Sequence, residues 1–508
     1  MRARSSVINA IVSIIAQVIT IIITFISRRI FLLILGESIL GINSLFAQII
    51  SMMSLVELGI GSAIIYSLYQ PLAADDKEQI GAIMNLYRKI YSIIGIIILI
   101  VGGLMTPVIT FFITGDISEI PNIHLIFILF VINSAISYFN AYKQNLIVAD
   151  QKKYITILVH NGLFVALNII QIVLLIKTAN YELYLILQII ITFIENLILS
   201  HITKKSYPYL SQYKHAKVAG EIIDNIKKNV KALLLHRVGG IFVSSTDTII
   251  ISKFIGIITV GKYTNYNYVT NAFNTLTTNL FSSFTSSVGN FNVEANKKEK
   301  YKLFRKLCYL NYTVFGFISI CTVCLIDDFI RIVFGNNMVL DEIVVVLMVV
   351  KFYVNGMRSA LLTFKDSLGI YHQDRYRPII EGSVNLVLSL VWVKEMGLVG
   401  VIFATIISNL FVNMWIEPVV VYKEAFEKKW TDYLIHYGRY LIYTFLISGV
   451  MIFVSKEMIV LNFIQWILKA IVVAVISLIL IIVSSFIADK EEFKYYLMLA
   501  MRVLKKEL

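Results

Sequence analysis

Apolar residues in this chain run in stretches of about 20, long enough for a helix to cross a bilayer, and such stretches recur along its whole length. Read with the turn signals between them, they predict fourteen spans, at approximately 7–34, 40–68, 91–114, 122–142, 154–176, 181–202, 232–254, 264–288, 307–326, 341–363, 379–394, 398–421, 437–455 and 462–487. Arg2 and Arg4 precede the first run as they would in a secretory leader. That run is too long for an h-region and lacks a small-x-small cleavage site, so a retained helix is expected. Between spans, the stretches near 70–90 (QPLAADDKEQIGAIMNLYRK) and 291–306 (FNVEANKKEKYKLFRK) are amphipathic and are expected to lie along the headgroup surface.

The pattern repeats. LGESILGINSLF, a helix and NLYRK in the first half correspond to IGIITVGKYTNY, a helix and KLFRK in the second. Gly36 and Gly41 match Gly256 and Gly261 at an offset of 220, Arg88 matches Arg305 at 217, and QKKY at 151–154 matches QDRY at 373–376 at 222. This predicts two pseudo-symmetric six-helix lobes, 1–215 and 216–435, with two further helices and a cytoplasmic tail in 436–508. Both lobes begin on the same side of the membrane, so the repeats are parallel.

Composition agrees with the pattern. The chain of 508 residues is 58% hydrophobic and 15% charged, against about 25% charged in a soluble domain, with mean hydropathy +0.79. The expected fold class is an all-α polytopic membrane protein of about fourteen transmembrane helices. The net charge of +13 is not a nucleic-acid footprint, because it is concentrated in alternate loops. With both termini in the cytoplasm, 34 of the 45 Lys and Arg fall at the inner side, 8 at the outer side and 3 within spans. Cys308, Cys321 and Cys324 are the three cysteines, and the CxxC pair lies in an apolar helix, where buried inert thiols are expected. There is no GxSxG, P-loop, HExxH or metal-ligand cluster, so neither a catalytic residue nor a metal or cofactor is expected.

Polar residues inside the spans are therefore the candidates for function. Arg28 and Arg29 close the first run, in its outer half. Ser44, Gln48, Ser51, Ser54 and Glu57 occupy one face of the second at spacings of three and four. The seventh carries His236, Gly240, Ser244 and Asp247, the last about 20 Å from the inner end. Lys351, Asn355 and Arg358 form a basic stripe in the tenth. The eighth is the least apolar, YTNYNYVTNAFNTLTTNLFSSFTSS, with amides at Asn267, Asn271 and Asn274 and with Tyr263, Tyr266 and Tyr268 at one end. A lipid-facing helix is not built this way. Amides, hydroxyls and aromatic rings suit a sugar, which offers many hydroxyls and apolar C–H faces; polar packing between helices is the other reading. Glu381 and Glu417 complete the buried acids, and Pro418 is expected to kink the twelfth helix.

Together LGESILGINSLF, LVELGIGSAIIYSLYQPLA, STDTIIISKFIGIITVGKYTNYNYV, SSVGNF, FKDSLGIYHQDRYRPIIEG and WIEPVVVYKEAF resemble the polysaccharide repeat-unit flippases of the multidrug/oligosaccharidyl-lipid/polysaccharide exporter superfamily, in the Gram-positive exopolysaccharide and capsule type. The resemblance covers most of the chain. It implies a central cavity between two lobes, and translocation of undecaprenyl-pyrophosphate-linked oligosaccharide from the inner to the outer leaflet of the bacterial cytoplasmic membrane. It also implies cavity cations for the pyrophosphate: Arg28 and Arg29 stand where one is expected, with Arg29 favoured, and Lys351 and Arg358 rest on the stripe alone. Glu57, Asp247 or Glu381 would bind the H⁺ or Na⁺ that drives the cycle. Expected partners are the lipid-linked oligosaccharide, membrane lipids and the polymerase and glycosyltransferases of the same pathway, with no nucleic acid. A cation-coupled drug antiporter of the same superfamily would favour acidic, aromatic walls. A membrane polymerase would present a large outer loop and an acyltransferase a deep His, and a peptidoglycan-precursor flippase would differ only in cargo.

Overall fold

The computed structural model describes residues 2–504, apart from 58–59, 116–119, 219, 221, 225, 228–229, 231–244 and 371–372. Among the described residues there is no strand, and the helices named below are α1 (Arg2–Met53), α2 (Ile60–Ala74), α3 (Lys77–Met105), α4 (Ile123–Ala149), α5 (Lys153–Thr178), α6 (Tyr181–Ser206), α7 (245–254), α8 (Ile257–Glu294), α9 (Lys297–Phe334), α10 (Glu342–Gly356), α11 (Ser359–Leu368), α12 (Arg377–Ser408), α13 (Met414–Ala425), α14 (Thr431–Lys456), α15 (Phe463–Ala488) and α16 (Lys490–Leu504).

Two of these hold a reversal. Gly36 interrupts α1 at φ 84° and ψ 177°, a left-handed φ that glycine takes at no steric cost. Residues 28 and 44 would lie about 24 Å apart along a straight helix, yet the Arg28 guanidinium donates to Ser44 Oγ at 3.3 Å. The chain therefore turns back at Gly36 into a hairpin. In α12, Gly397 (φ 57°) does the same: Asn385 Nδ2 donates to Thr405 Oγ1 at 2.9 Å, twenty residues on. Eight described helical stretches are long and apolar enough to cross a membrane. Two of them, Ile15–Met53 and Arg377–Ala425, are these hairpins and supply two runs each. The predicted spans fall mainly on helix where they are described; the second is broken by a 3₁₀ turn at Ser54–Glu57 before 58–59, which lie outside the described residues, the tenth by a turn at 357–358, and the seventh is described only from 245.

The amphipathic connectors differ from expectation. Residues 77–89 and 297–306 are not separate surface helices but the first turns of α3 and α9. Asp76 caps α3 through Gln79 N–H, and Asn296 and Glu299 form a reciprocal capping box at the start of α9. Each cap satisfies orphan N–H groups there, so each helix starts early and runs unbroken into the apolar stretch.

The chain forms two compact units, Met1–Gly261 and Lys262–Leu508. In the first, α3, α4 and α6 pack side by side and α5 packs on α1. The first turn of α8 belongs to this unit and meets the second helix of α1 at two glycines. A Cβ on Gly41 would lie 2.1 Å from the Ile257 carbonyl oxygen, and one on Gly261 3.3 Å from the Glu37 carbonyl oxygen. Both pairs are related by the repeat offset of 220, so the contact is itself pseudo-symmetric. In the second unit α9 is the hub, touching α10, α11, α13, α14 and α15 around an aromatic core in which Tyr312 stacks on Tyr440 at 4.4 Å.

Candidate functional site

Successive residues point about 100° apart around a helix, so Arg28 and Arg29 have different surroundings. Arg28 is buried in the α1 hairpin against Ser44, whereas Arg29 is exposed.

Glu57 stands at a break. The second helix of α1 ends at Met53, and a 3₁₀ turn, Ser54–Glu57, carries the chain toward α2. Tyr91 donates its hydroxyl to Glu57 Oε1, and buried Tyr138 packs beside Tyr91, ring centroids 6.0 Å apart. Tyr87 lies 3.4 Å from Tyr91, hydroxyl to hydroxyl, donates to the Gly61 carbonyl at 3.3 Å, and accepts from the Asn145 amide. The result is a carboxylate at membrane depth ringed by buried tyrosines from α3 and α4. Sequence reading isolated Glu57 but not this ring. Its trace was Tyr87 and Tyr91 one helical turn apart on the face opposite Lys89.

Asp247 is buried on α7. His236, Gly240 and Ser244 lie outside the described residues.

In the second unit α8 carries the clearest signal. Its exposed positions include Asn271, Thr278, Asn279, Ser282, Ser283, Ser286 and Ser287. The exposed positions of α15, by contrast, are apolar apart from Gln465 in its first turn, and include Ile464, Leu468, Ile471, Val475, Leu478, Ile482 and Phe486. Hydrocarbon tolerates the α15 face, while an open row of amides and hydroxyls needs water or a polar ligand. Asn267 and Asn274 are half-buried at the edge of this face. The tyrosines divide: Tyr268 is exposed, but Tyr263 and Tyr266 are buried as partners of Lys351 (3.0 Å) and Asp327 (2.6 Å).

The stripe predicted in the tenth span divides too, because α10 ends at Gly356 and Arg358 stands in the turn before α11. Lys351 is half-buried with its ammonium on the Tyr263 hydroxyl, and Asn355 is exposed and accepts from the Asn409 amide. Arg358 is buried and makes a two-pronged pair with Glu417, Nε to Oε2 at 2.8 Å and Nη2 to Oε1 at 2.6 Å. Arg377 bridges onward from Glu417 (3.2 Å) to Asp374 (3.1 Å) and Glu381 (3.3 Å), and Lys365 pairs with Asp374. Three cations and three carboxylates thus balance in one buried network, with Asn413 donating to Glu381 at 2.7 Å. Glu381, a candidate ion-coupling acid, is a member of it. Lys365, Asp374 and Arg377 read in sequence as loop charges. Their signal was the i, i+3, i+7 spacing of Asp374, Arg377 and Glu381 where α12 begins. Among the described residues no three His, Cys, Asp or Glu gather as metal ligands.

No protein-family model matches the sequence, and no curated protein matches it. Solved structures do. The lipid II flippase MurJ, in an inward-closed conformation, superposes with a TM-score of 0.66 at 11% identity, over 94% of this chain and 98% of that one. An inward-facing multidrug-resistance MATE transporter of the MOP superfamily gives 0.63 at 14% identity, over 87% and 96%. The Vibrio cholerae MATE transporter VcmN gives 0.57 at 11%, over 83% and 97%. At these identities the likeness is one of architecture: this is a polytopic all-α membrane protein with the fold shared by the MurJ flippase and the MATE transporters.

Proposed function

We propose that this protein is a flippase that moves undecaprenyl-pyrophosphate-linked oligosaccharide repeat units from the inner to the outer leaflet of the bacterial cytoplasmic membrane, by alternating access, for surface-polysaccharide synthesis. The observation that carries the reading is the open amide and hydroxyl face of α8. Such a face can exchange hydrogen bonds with water for hydrogen bonds with sugar hydroxyls as cargo passes. Exposed Arg29 in the first unit and half-buried Lys351 in the second are each a candidate cation for a diphosphate. Arg358 would reach cargo only by exchanging Glu417 for it. The fold likeness to a lipid II flippase supports a lipid-linked cargo. Glu57 is the acid proposed to take up the driving H⁺ or Na⁺, because it sits in a ring of buried tyrosines and accepts from the Tyr91 hydroxyl.

The same ring supports a second reading. A carboxylate among aromatic rings also suits an organic cation, as a drug antiporter would require. Proteoliposomes separate the two. The flippase reading expects a fluorescent lipid-linked oligosaccharide to become protected from an external enzyme, under Na⁺ or proton gradients. It expects Arg29→Ala to abolish that protection without loss of membrane insertion. Normal flipping by Arg29→Ala refutes the assigned role of the arginine, and drug efflux without flipping refutes the reading.

A further inference from the structure

Beyond any transport site, we propose that the first unit holds a binding site for a phosphate-bearing headgroup, built from Arg88 on α3, Lys143 on α4 and Ser200 and Lys204 on α6. The site lies at the end of the unit that the charge count predicts to be cytoplasmic. Lys143 is six residues from the end of α4, about 9 Å along the axis, at the depth where a helix passes from headgroups to hydrocarbon. Its ammonium, half-buried, donates to the buried Ser200 hydroxyl at 2.6 Å. Lys204, one turn beyond Ser200, and Arg88 are the charges that act on it, and Arg88 also acts on the neighbouring Tyr142.

The three helices are fixed in this register from both sides. Asn145, two residues after Lys143, donates to Tyr87, which precedes Arg88. Asn196, one turn before Ser200, donates to the Ile136 carbonyl at 2.9 Å. Asp150, the carboxylate at the end of α4, is engaged by Lys152 (2.7 Å) and Tyr207 (2.7 Å). The fold thus sets the Lys143 ammonium on the Ser200 hydroxyl, with the exposed cations Lys204 and Arg88 near enough to repel it. A tetrahedral oxyanion with several acceptor oxygens relieves that repulsion and takes hydrogen bonds from every donor at once. The ligand chemistry is a phosphodiester or diphosphate, from an anionic phospholipid or from a diphosphate-bearing lipid.

The test is native mass spectrometry of the purified full-length protein in detergent. It is supplied with phosphatidylglycerol, with phosphatidylcholine or with inorganic pyrophosphate. Wild type is expected to retain phosphatidylglycerol or pyrophosphate over phosphatidylcholine, and Lys143→Gln/Lys204→Gln to weaken that retention at least tenfold. Arg88→Gln, at an exposed position that cannot unsettle the fold, is expected to weaken it severalfold. Selective loss of phosphatidylglycerol assigns the site to a bilayer lipid, and selective loss of pyrophosphate to a diphosphate. The control Lys89→Gln/Lys205→Gln removes equal charge, next in sequence to Arg88 and Lys204, from α3 and α6. Equal loss in that control, or unchanged retention in the Lys143/Lys204 variant, overturns the proposal.

Discussion

Replacing Glu417 by Gln tests the buried network directly. Glu417 is fully enclosed, and its two oxygens face Arg358 at 2.6 and 2.8 Å and Arg377 at 3.2 Å. The substitution leaves three cations against two carboxylates, Asp374 and Glu381, in a space closed to water. Removing one member of a buried pair costs about 3–5 kcal/mol. A single unit-charge interaction at 4 Å gives a similar figure, about 4 kcal/mol at an effective dielectric of 20. At about 1.36 kcal/mol per factor of ten, the unfolding equilibrium shifts by roughly two to nearly four orders of magnitude. The assay is an SDS titration of purified protein in mixed micelles, followed by circular dichroism. The double variant Arg358→Met/Glu417→Leu removes both charges and is expected to recover most of the loss, since an apolar pair of similar volume is often neutral or better. An unfolding midpoint for Glu417→Gln equal to wild type would refute the reasoning. So would a double variant no better than the single ones. Arg358→Lys adds a discriminating arm. If it abolishes flipping while leaving the midpoint unchanged, Arg358 serves cargo rather than the network.

Other outcomes follow from the same geometry. Gly41→Ala puts a Cβ 2.1 Å from the Ile257 carbonyl oxygen, so the two helices must part by more than 1 Å, and a loss of about 1–3 kcal/mol is expected. Gly261→Ala, its counterpart 220 residues on, meets Glu37 at 3.3 Å and is expected to cost less than about 1 kcal/mol; equal melting of the two in detergent would contradict the asymmetry. Glu57→Gln is expected to remove at least tenfold of the gradient-stimulated rate in proteoliposomes, and Tyr91→Phe to lower it partially. Full stimulation in Glu57→Gln would exclude the carboxylate as the coupling group.

The sequence by itself determined that the chain crosses a membrane as many helices, and roughly where each begins. A run of about 20 apolar residues has no other stable form in hydrocarbon, where backbone groups must bond within the segment. It also determined the glycine repeat, because only glycine allows the approach that Gly41 makes, and the polarity of α8, because that polarity belongs to the residues themselves. The capping box at Asn296 and Glu299 was equally legible as a local signal, and it corrects the surface-helix reading of that stretch. Partner choice was not legible. Helical period says that Arg28 and Arg29 point different ways, but only the reversal at Gly36 decides that Arg28 meets Ser44 and is enclosed. Likewise Arg358 reads as a cation in search of an anion, and only the packing of α13 on α11 brings Glu417, 59 residues away, to it. Periodicity fixes an angle about one helix axis; which neighbour stands at that angle depends on the packing of many helices at once, and no local stretch encodes it.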